Sequence, residues 1–265
     1  MKFRITAISI ILTLTVACSK VPVTGRKQFN VVPDGMISQM SLTSYKDFLS
    51  QNPPLPESNA SVVTVRAVGN RISKAVEKFL TDNGMGSKIS AYSWEFNVVK
   101  SDEVNAWCLP GGKVVVYSGI FPYSKDEAGL AVVMGHEIAH AVANHGGERM
   151  SQQLAVVLGG VSLEVAMQQQ PIQTRDLFNL AYGAGSTLGI LAYSRTHEYE
   201  ADKLGMVFMA MAGYDPQRAV SFWQDMAAIP GPAAPEWLST HPQSQKRAKA
   251  ISDFIPEANK YYQKP

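Results

Sequence analysis

The sequence predicts an α+β fold, mainly helical, with a small mixed β-sheet and one helix that carries a candidate active site. Three observations predict it. Apolar residues recur at helical spacing over long stretches, and a short block of period-two alternation followed by a hairpin signal lies between residues 92 and 120. Behind that block, "MGHEIAHAVANH", Met134 to His145, places two histidines four residues apart with a glutamate between them. At 265 residues and 46% hydrophobic, the chain can bury one substantial core.

The opening stretch, "MKFRITAISIILTLTVACSK", has two positive charges, an apolar run from Ile5 to Ala17, and then Cys18. The run is short for a bilayer span and reads as an export signal. The cysteine makes it look like a bacterial lipoprotein signal, with residues 1–17 removed and Cys18 lipidated. Thr15 departs from the usual Leu or Val, while Ser19 after the cysteine matches the enterobacterial pattern for outer-membrane sorting. The chain holds 24 basic and 22 acidic residues, so losing Lys2 and Arg4 leaves 22 of each. That balance gives no support for a nucleic-acid partner or a polybasic membrane surface, and leaves the lipid as the expected membrane contact. With Cys18 acylated, Cys108 has no intrachain partner and is expected as a buried small hydrophobe. No later segment reads as transmembrane, since "LAVVLGGVSLEVAM" is short and contains Glu164.

In chain order, residues 18–60 read as a lipid tether with a docking helix around Met36 to Leu49, closed by "NPPLP", where prolines remove backbone donors. Residues 61–265 form the main domain. It opens with Val62, Val65, Gly69, Ile72, Val76, Phe79 and Leu80 on one helical face. In "YSWEFNVV", Tyr92, Trp94, Phe96 and Val98 alternate with polar residues as in a half-buried strand. "EVNAWCL", "PGG" and "KVVVYSGI" then form a hairpin. Ser124 and Glu127 spell a capping box for the next helix, which is expected to stop near Gly146 and Gly147. From Ser151 to Met211 the chain reads as helical with a break at "QQQPIQ", and Gly213 ends the run. Asp215 and Pro216 start another helix, "IPGPAAPEW" is a loop, and a last helix runs from about Pro242 to Phe254.

On a helix, positions i and i+4 are about 40° apart, so His136 and His140 can aim ring nitrogens at one cation while Glu137, one step round, reaches a water. This H-E-x-x-H spacing is the arrangement in which zinc acidifies a water and the glutamate takes its proton. Five histidines and twelve glutamates give about 0.004 chance matches, so two incidental core histidines are the weaker explanation. The metzincin pattern would need glycine at 143 and histidine at 146, and the sequence has Ala143 and Gly146. His145 is out of phase and reads as a helix-end histidine.

A third ligand must lie elsewhere. In "SRTHEYEADKLG", Glu198 and Asp202 are again four apart, so one carboxylate can bind zinc while the other accepts the free N–H of a liganding histidine. Glu200 is about 200° round the helix from Glu198, so only one of them faces the metal. Glu198 is the choice, because it alone shares a face with Asp202.

Four segments together resemble a known family: "NAWCLPGG" (105–112), "GHEIAHAVANHGGER" (135–149), "YSRTHEYEADKLG" (193–205) and "STHP" (239–242). The chain is similar to the zinc metallopeptidases that include HtpX and the CAAX prenyl protease, most closely their periplasmic BepA- and LoiP-like members. The resemblance implies a gluzincin-type metalloprotease with one zinc per chain, held by His136, His140 and Glu198, with Glu137 as general base. It implies that Asn105 and Ala106 lie on an edge strand where an extended substrate adds; a plain hairpin strand is the equal alternative. His241 matches a histidine near the metal that stabilises the transition state or takes the open coordination position, unless it merely caps the last helix. The expected function is proteolysis of misfolded or unassembled envelope polypeptides from a lipid-anchored position on the outer membrane, facing the periplasm. The rival is a periplasmic chaperone or outer-membrane assembly factor with a latent or structural zinc site.

Overall fold

The computed structural model describes residues 18–158, 194–227, 237, 241 and 245–264. The expected signal segment, the break at "QQQPIQ" and most of the loop "IPGPAAPEW" lie outside them. The chain opens with a small antiparallel hairpin, β1 (Cys18–Lys20) and β2 (Lys27–Phe29), before helix α1 (Asp34–Gln51). Residues expected as a tether are therefore structured from this point: Val21 and Gln28 are buried, and the Arg26 side chain reaches into the body. Helix α2 (Ala60–Asp82) is capped by Asn59, whose side chain accepts the Ser61 N–H.

Strands β3 (Glu95–Val99), β4 (Ala106–Leu109) and β5 (Lys113–Tyr117) form a mixed sheet in the order β3, β5, β4, with β3 parallel and β4 antiparallel to the central β5. One face, with Phe96, Val98, Ala106, Val114 and Val116, packs on α2 and the helices behind it. The other was expected to face water in part. Instead Val99, Trp107, Leu109, Val115 and Tyr117 are covered by Ile37, Tyr45 and Phe48 of α1, so β4 and β5 are buried on both faces. The docking helix explains why these strands are apolar throughout.

After the short α3 (Phe121–Ser124) comes the histidine helix α4 (Glu127–Val142), then α5 (His145–Leu158), α6 (Arg195–Met211), α7 (Gln217–Ala227) and α8 (Gln245–Ala258). Two expected boundaries are corrected. Ser124 does not cap α4, because it ends α3 and Lys125 reverses the chain at φ 65°; Asp126 caps instead, accepting the Gly129 N–H at 2.6 Å. Nor does α4 run to Gly146. It ends at Val142, and Asn144 takes a left-handed conformation, φ 53°, which starts α5 at His145. Gly147 permits this break: a Cβ there would lie 2.3 Å from Asn144 Oδ1. Asp215 accepts the Gln217 N–H at 2.8 Å and so caps α7 as expected.

Helices α4 and α6 meet backbone to backbone. A Cβ on Gly135 would stand 3.0 Å from the Gly205 carbonyl oxygen, and one on Gly205 would stand 2.9 Å from Gly135 carbon. Only glycine at both positions allows this approach, which sets the α6 carboxylates beside the α4 histidines. Gly205→Val is expected to cost about 1–3 kcal/mol by overpacking and to weaken metal binding with it. Chemical denaturation and zinc titration of the variant check both effects.

Candidate metal centre

All five histidines of the chain, 136, 140, 145, 197 and 241, are buried and converge in one connected group. Helix α4 supplies His136, Glu137 and His140, and α6 supplies Glu198 and Asp202. His136, His140, Glu198 and His241 each offer a donor atom, and these four lie within 4.8 Å of one another. His136 Nε2 is 3.0 Å from His140 Nε2, 3.5 Å from Glu198 Oε2 and 3.2 Å from His241 Nδ1. His140 Nε2 is 3.4 Å from Glu198 Oε1, and His241 Nδ1 is 3.1 Å from that same oxygen.

A tetrahedron with metal–ligand bonds of about 2.1 Å has edges of about 3.4 Å, so this spacing and the imidazole and carboxylate donors fit zinc. Burial would raise the Glu198 carboxyl, but His241, His136 and His140 together hold it well below its ordinary range, so it is ionised. Glu137 lies beside the donor cluster. Its Oε1 accepts the Trp237 indole N–H at 2.8 Å and is 3.4 Å from His241 Nε2. Trp237 stacks on Trp223, with ring centroids 5.3 Å apart, and its backbone N–H donates to the Val104 carbonyl just before β4.

His136 and His140 each have a partner behind them. His136 Nδ1 is 3.0 Å from Asp202 Oδ1, as the four-residue spacing of the α6 acids implied. Asp202 is gripped by Arg247 of α8 at 2.7 and 2.8 Å, and the same guanidinium reaches Glu198 Oε2 at 2.7 Å while lying over the Trp223 ring. Burial would raise Asp202, yet Arg247 and His136 hold it below its ordinary value. His140 Nδ1 meets His145 Nδ1 at 2.9 Å, and His145 Nε2 meets Glu200 Oε2 at 3.1 Å. His145 is outside the donor cluster, as its phase required, but it opens α5 rather than closing α4 and it backs His140. Glu200 faces away from the cluster, as the helical angle required.

Sequence reasoning missed Arg26, Glu148, His145, Trp237 and Arg247. Only His145 left a signal, its place five residues beyond His140, and the break at Asn144 hid it. Arg26 bridges Glu148 and Glu200, at 2.7 and 2.9 Å, and Glu148 also meets His197 Nε2 at 3.0 Å. Burial works to raise Glu148, but Arg26 and His197 more than offset it and hold it at about 2. A folded value below the ordinary 4.5 contributes stability that is complete above 4.5 and lost as pH falls through about 2. The metal-free chain is thus expected to lose unfolding free energy between those pH values, with a shallower slope in Glu148→Gln. Denaturant titrations at pH 5, 4 and 3 measure it.

Asn105 and Ala106 stand where β4 begins, at the sheet edge and against α4. Tyr117 N–H donates to the Asn105 carbonyl, so Ala106, opposite Val116, is the next pair and turns its backbone groups to the side away from β5. Asn105 Oδ1 accepts the Ala106 N–H at 2.9 Å. Cys108 is buried and free, with its thiol pushed up by burial.

Against known families, residues 68–255 match the model of peptidase family M48. The chain belongs to peptidase family M48. The M48 match covers the histidine helix, the α6 acids and His241, and it bears out the resemblance carried by the four segments. Peptidases of this family use zinc, and the donor group of His136, His140, Glu198 and His241 suits that metal. It is 34% identical to a mitochondrial metalloendopeptidase OMA1 of Schizosaccharomyces pombe over 246 residues, covering 90% of this chain and 66% of the relative. The Bos taurus metalloendopeptidase OMA1 is 34% identical over 248 residues, with 90% and 46% covered. A beta-barrel assembly-enhancing protease of Yersinia pestis is 31% identical over 194 residues, with 67% and 38% covered. The chain thus spans between about four tenths and two thirds of the length of these M48 relatives. No helix among the described residues is long and apolar enough to cross a membrane.

Proposed function

We propose that this chain is a zinc-dependent endopeptidase that cuts extended segments of misfolded or unassembled envelope proteins, held by a lipid on Cys18 at the bacterial outer membrane and facing the periplasm. The observation that carries the chemistry is Glu137, buried one residue from His136 and adjacent to the donor cluster without belonging to it. The location rests on the anatomy of residues 1–18 and accords with the printed name of the beta-barrel relative, whereas the printed names of the OMA1 relatives place those proteins in mitochondria. Residues 61–265 form the protease domain of this reading, and 18–60 attach it to the membrane.

His136, His140 and Glu198 hold one zinc, which when bound supplies Lewis acidity for the carbonyl and lowers the pKa of water. The Asp202 carboxylate, 3.0 Å from His136 Nδ1, favours a proton on that nitrogen and so leaves the Nε2 lone pair for the metal. An extended substrate adds to the β4 edge at Asn105 and Ala106, its main chain replacing the Asn105 amide as partner of the Ala106 N–H. Glu137 accepts the proton of the attacking water and returns it to the leaving amine nitrogen.

His241 favours a second reading of the resting state. Its Nδ1 stands among the metal donors and its Nε2 faces Glu137, so in this arrangement it takes the place a water needs. A chaperone or assembly factor with a latent zinc site would keep this geometry permanently; a protease releases it when substrate arrives. The deciding experiment is casein cleavage by the lipid-free chain beside suppression of casein aggregation, each with and without chelator. Chelator-sensitive cleavage supports the endopeptidase. Metal-independent holding without cleavage supports the chaperone.

A further inference from the structure

We propose that the N-terminal hairpin is part of the metal centre, with Arg26 a positioning residue for His140. The proposal rests on the reading of His136, His140 and Glu198 as zinc ligands, and its hairpin residues, Thr24 and Arg26, lie outside the segment that the family model matches.

The two ligand histidines of α4 are supported in different ways. Behind His136 stands a carboxylate, Asp202, fixed by a buried arginine from α8. Behind His140 the arrangement differs. The position is taken by His145, whose far nitrogen reaches Glu200 at 3.1 Å. A chain of neutral tautomers follows from the distances. For His140 to present the Nε2 lone pair to a metal, its proton sits on Nδ1, 2.9 Å from His145 Nδ1, which accepts it. His145 then carries its own proton on Nε2 and donates to Glu200. The orientation of His140 is thereby coupled to the anchoring of Glu200.

Glu200 is anchored by the hairpin. Arg26 donates through Nε to both of its oxygens at 3.0 Å and through Nη2 at 2.9 Å, and the Thr24 hydroxyl donates at 2.6 Å. The Nη1 and Nη2 groups of the same guanidinium donate to Glu148 at 2.8 and 2.7 Å, so one cation bridges two buried carboxylates. Glu148 in turn fixes His197, whose ring stacks on His145 with centroids 4.5 Å apart. The hairpin thus grips both sides of the imidazole that backs the ligand. Arg26 stands to Glu200 as Arg247 stands to Asp202, one pair per ligand histidine. The planar two-sided fork of an arginine is needed for this, since an ammonium cannot pair with two carboxylates in that geometry.

The test uses the full-length chain and its Arg26→Ala, Arg26→Lys, Glu200→Gln and Thr24→Val variants. Zinc affinity is measured by competition with a chromophoric chelator, and ligand geometry by the visible absorption of the cobalt-substituted protein. Arg26→Ala and Glu200→Gln are expected to bind zinc about 10-fold or more weakly, within the range for loss of an outer-shell partner, with a shifted cobalt band. Arg26→Lys should recover part of the loss. Thr24→Val, which removes one hydroxyl, should shift affinity in the same direction by less, and it stands in for Arg26→Ala if that variant does not fold. Unchanged zinc affinity and an unchanged cobalt band in a folded Arg26→Ala or Glu200→Gln, with only the melting temperature lowered, would overturn the proposal and leave the hairpin as packing. A wild-type chain that takes up no zinc would instead remove the ligand reading beneath it.

Discussion

Replacing Glu137 with glutamine is expected to lower kcat on an unfolded polypeptide by about 10²–10⁴-fold while one zinc per chain stays bound. The separation of the two effects is what the geometry dictates. The Glu137 carboxylate is outside the group of donors formed by His136, His140, Glu198 and His241, so metal affinity does not depend on it. An amide keeps the shape and still accepts the Trp237 N–H at the place where Glu137 Oε1 does now, which leaves the packing of the Trp237 and Trp223 rings undisturbed. It cannot take a proton from water. Steady-state cleavage and metal content, measured on the same preparation, check the result. Loss of zinc together with activity would place Glu137 among the ligands, and full activity in the variant would move the proton transfer to another group.

The second large effect is expected at Glu198. Glu198→Ala should reduce zinc affinity by more than the 10–100-fold typical of losing an outer-shell partner, and activity should vanish with the metal. Asp202→Asn should fall within that 10–100-fold range, because it leaves the donor set intact and weakens only the support of His136. The ordering is the informative part. Glu198 has an oxygen within 3.5 Å of three donor nitrogens, whereas Asp202 reaches His136 at Nδ1, the side away from the cluster. Arg247 retains Asp202 when Glu198 is shortened, so circular dichroism should show the alanine variant folded. If the two acids exchanged ranks, the assignment of ligand and supporter would be reversed.

Much of this centre was legible because helical geometry converts spacing into direction. The four-residue interval in the histidine motif and again at Glu198 and Asp202 places side chains without knowledge of the rest of the chain. The phase argument also separated Glu198 from Glu200 and kept His145 out of the donor set. What spacing cannot supply is the partner brought from a distance. Arg26 lies 174 residues from Glu200, and Arg247 lies 45 from Asp202. Nothing local marks either arginine as buried. The capping residue was misplaced for a similar reason: Ser124 and Glu127 have the right spacing, but the left-handed turn at Lys125 depends on Arg218 of α7, which holds the Ser124 carbonyl and Asp126 together. The two-sided burial of the sheet likewise depends on α1, whose docking no strand pattern records.

The crossing of α4 and α6 at Gly135 and Gly205 bears on how rigidly the donor side chains are held. With backbone lying on backbone, neither helix can roll about its axis or slide without collision, so the donors His136, His140 and Glu198 behave as one preassembled jaw. Free energy from metal uptake is then not drawn down by ordering those two helices, and the affinity of the jaw is fixed by the fold. His241, the fourth member of the donor group, comes from beyond α7 and so lies outside that jaw.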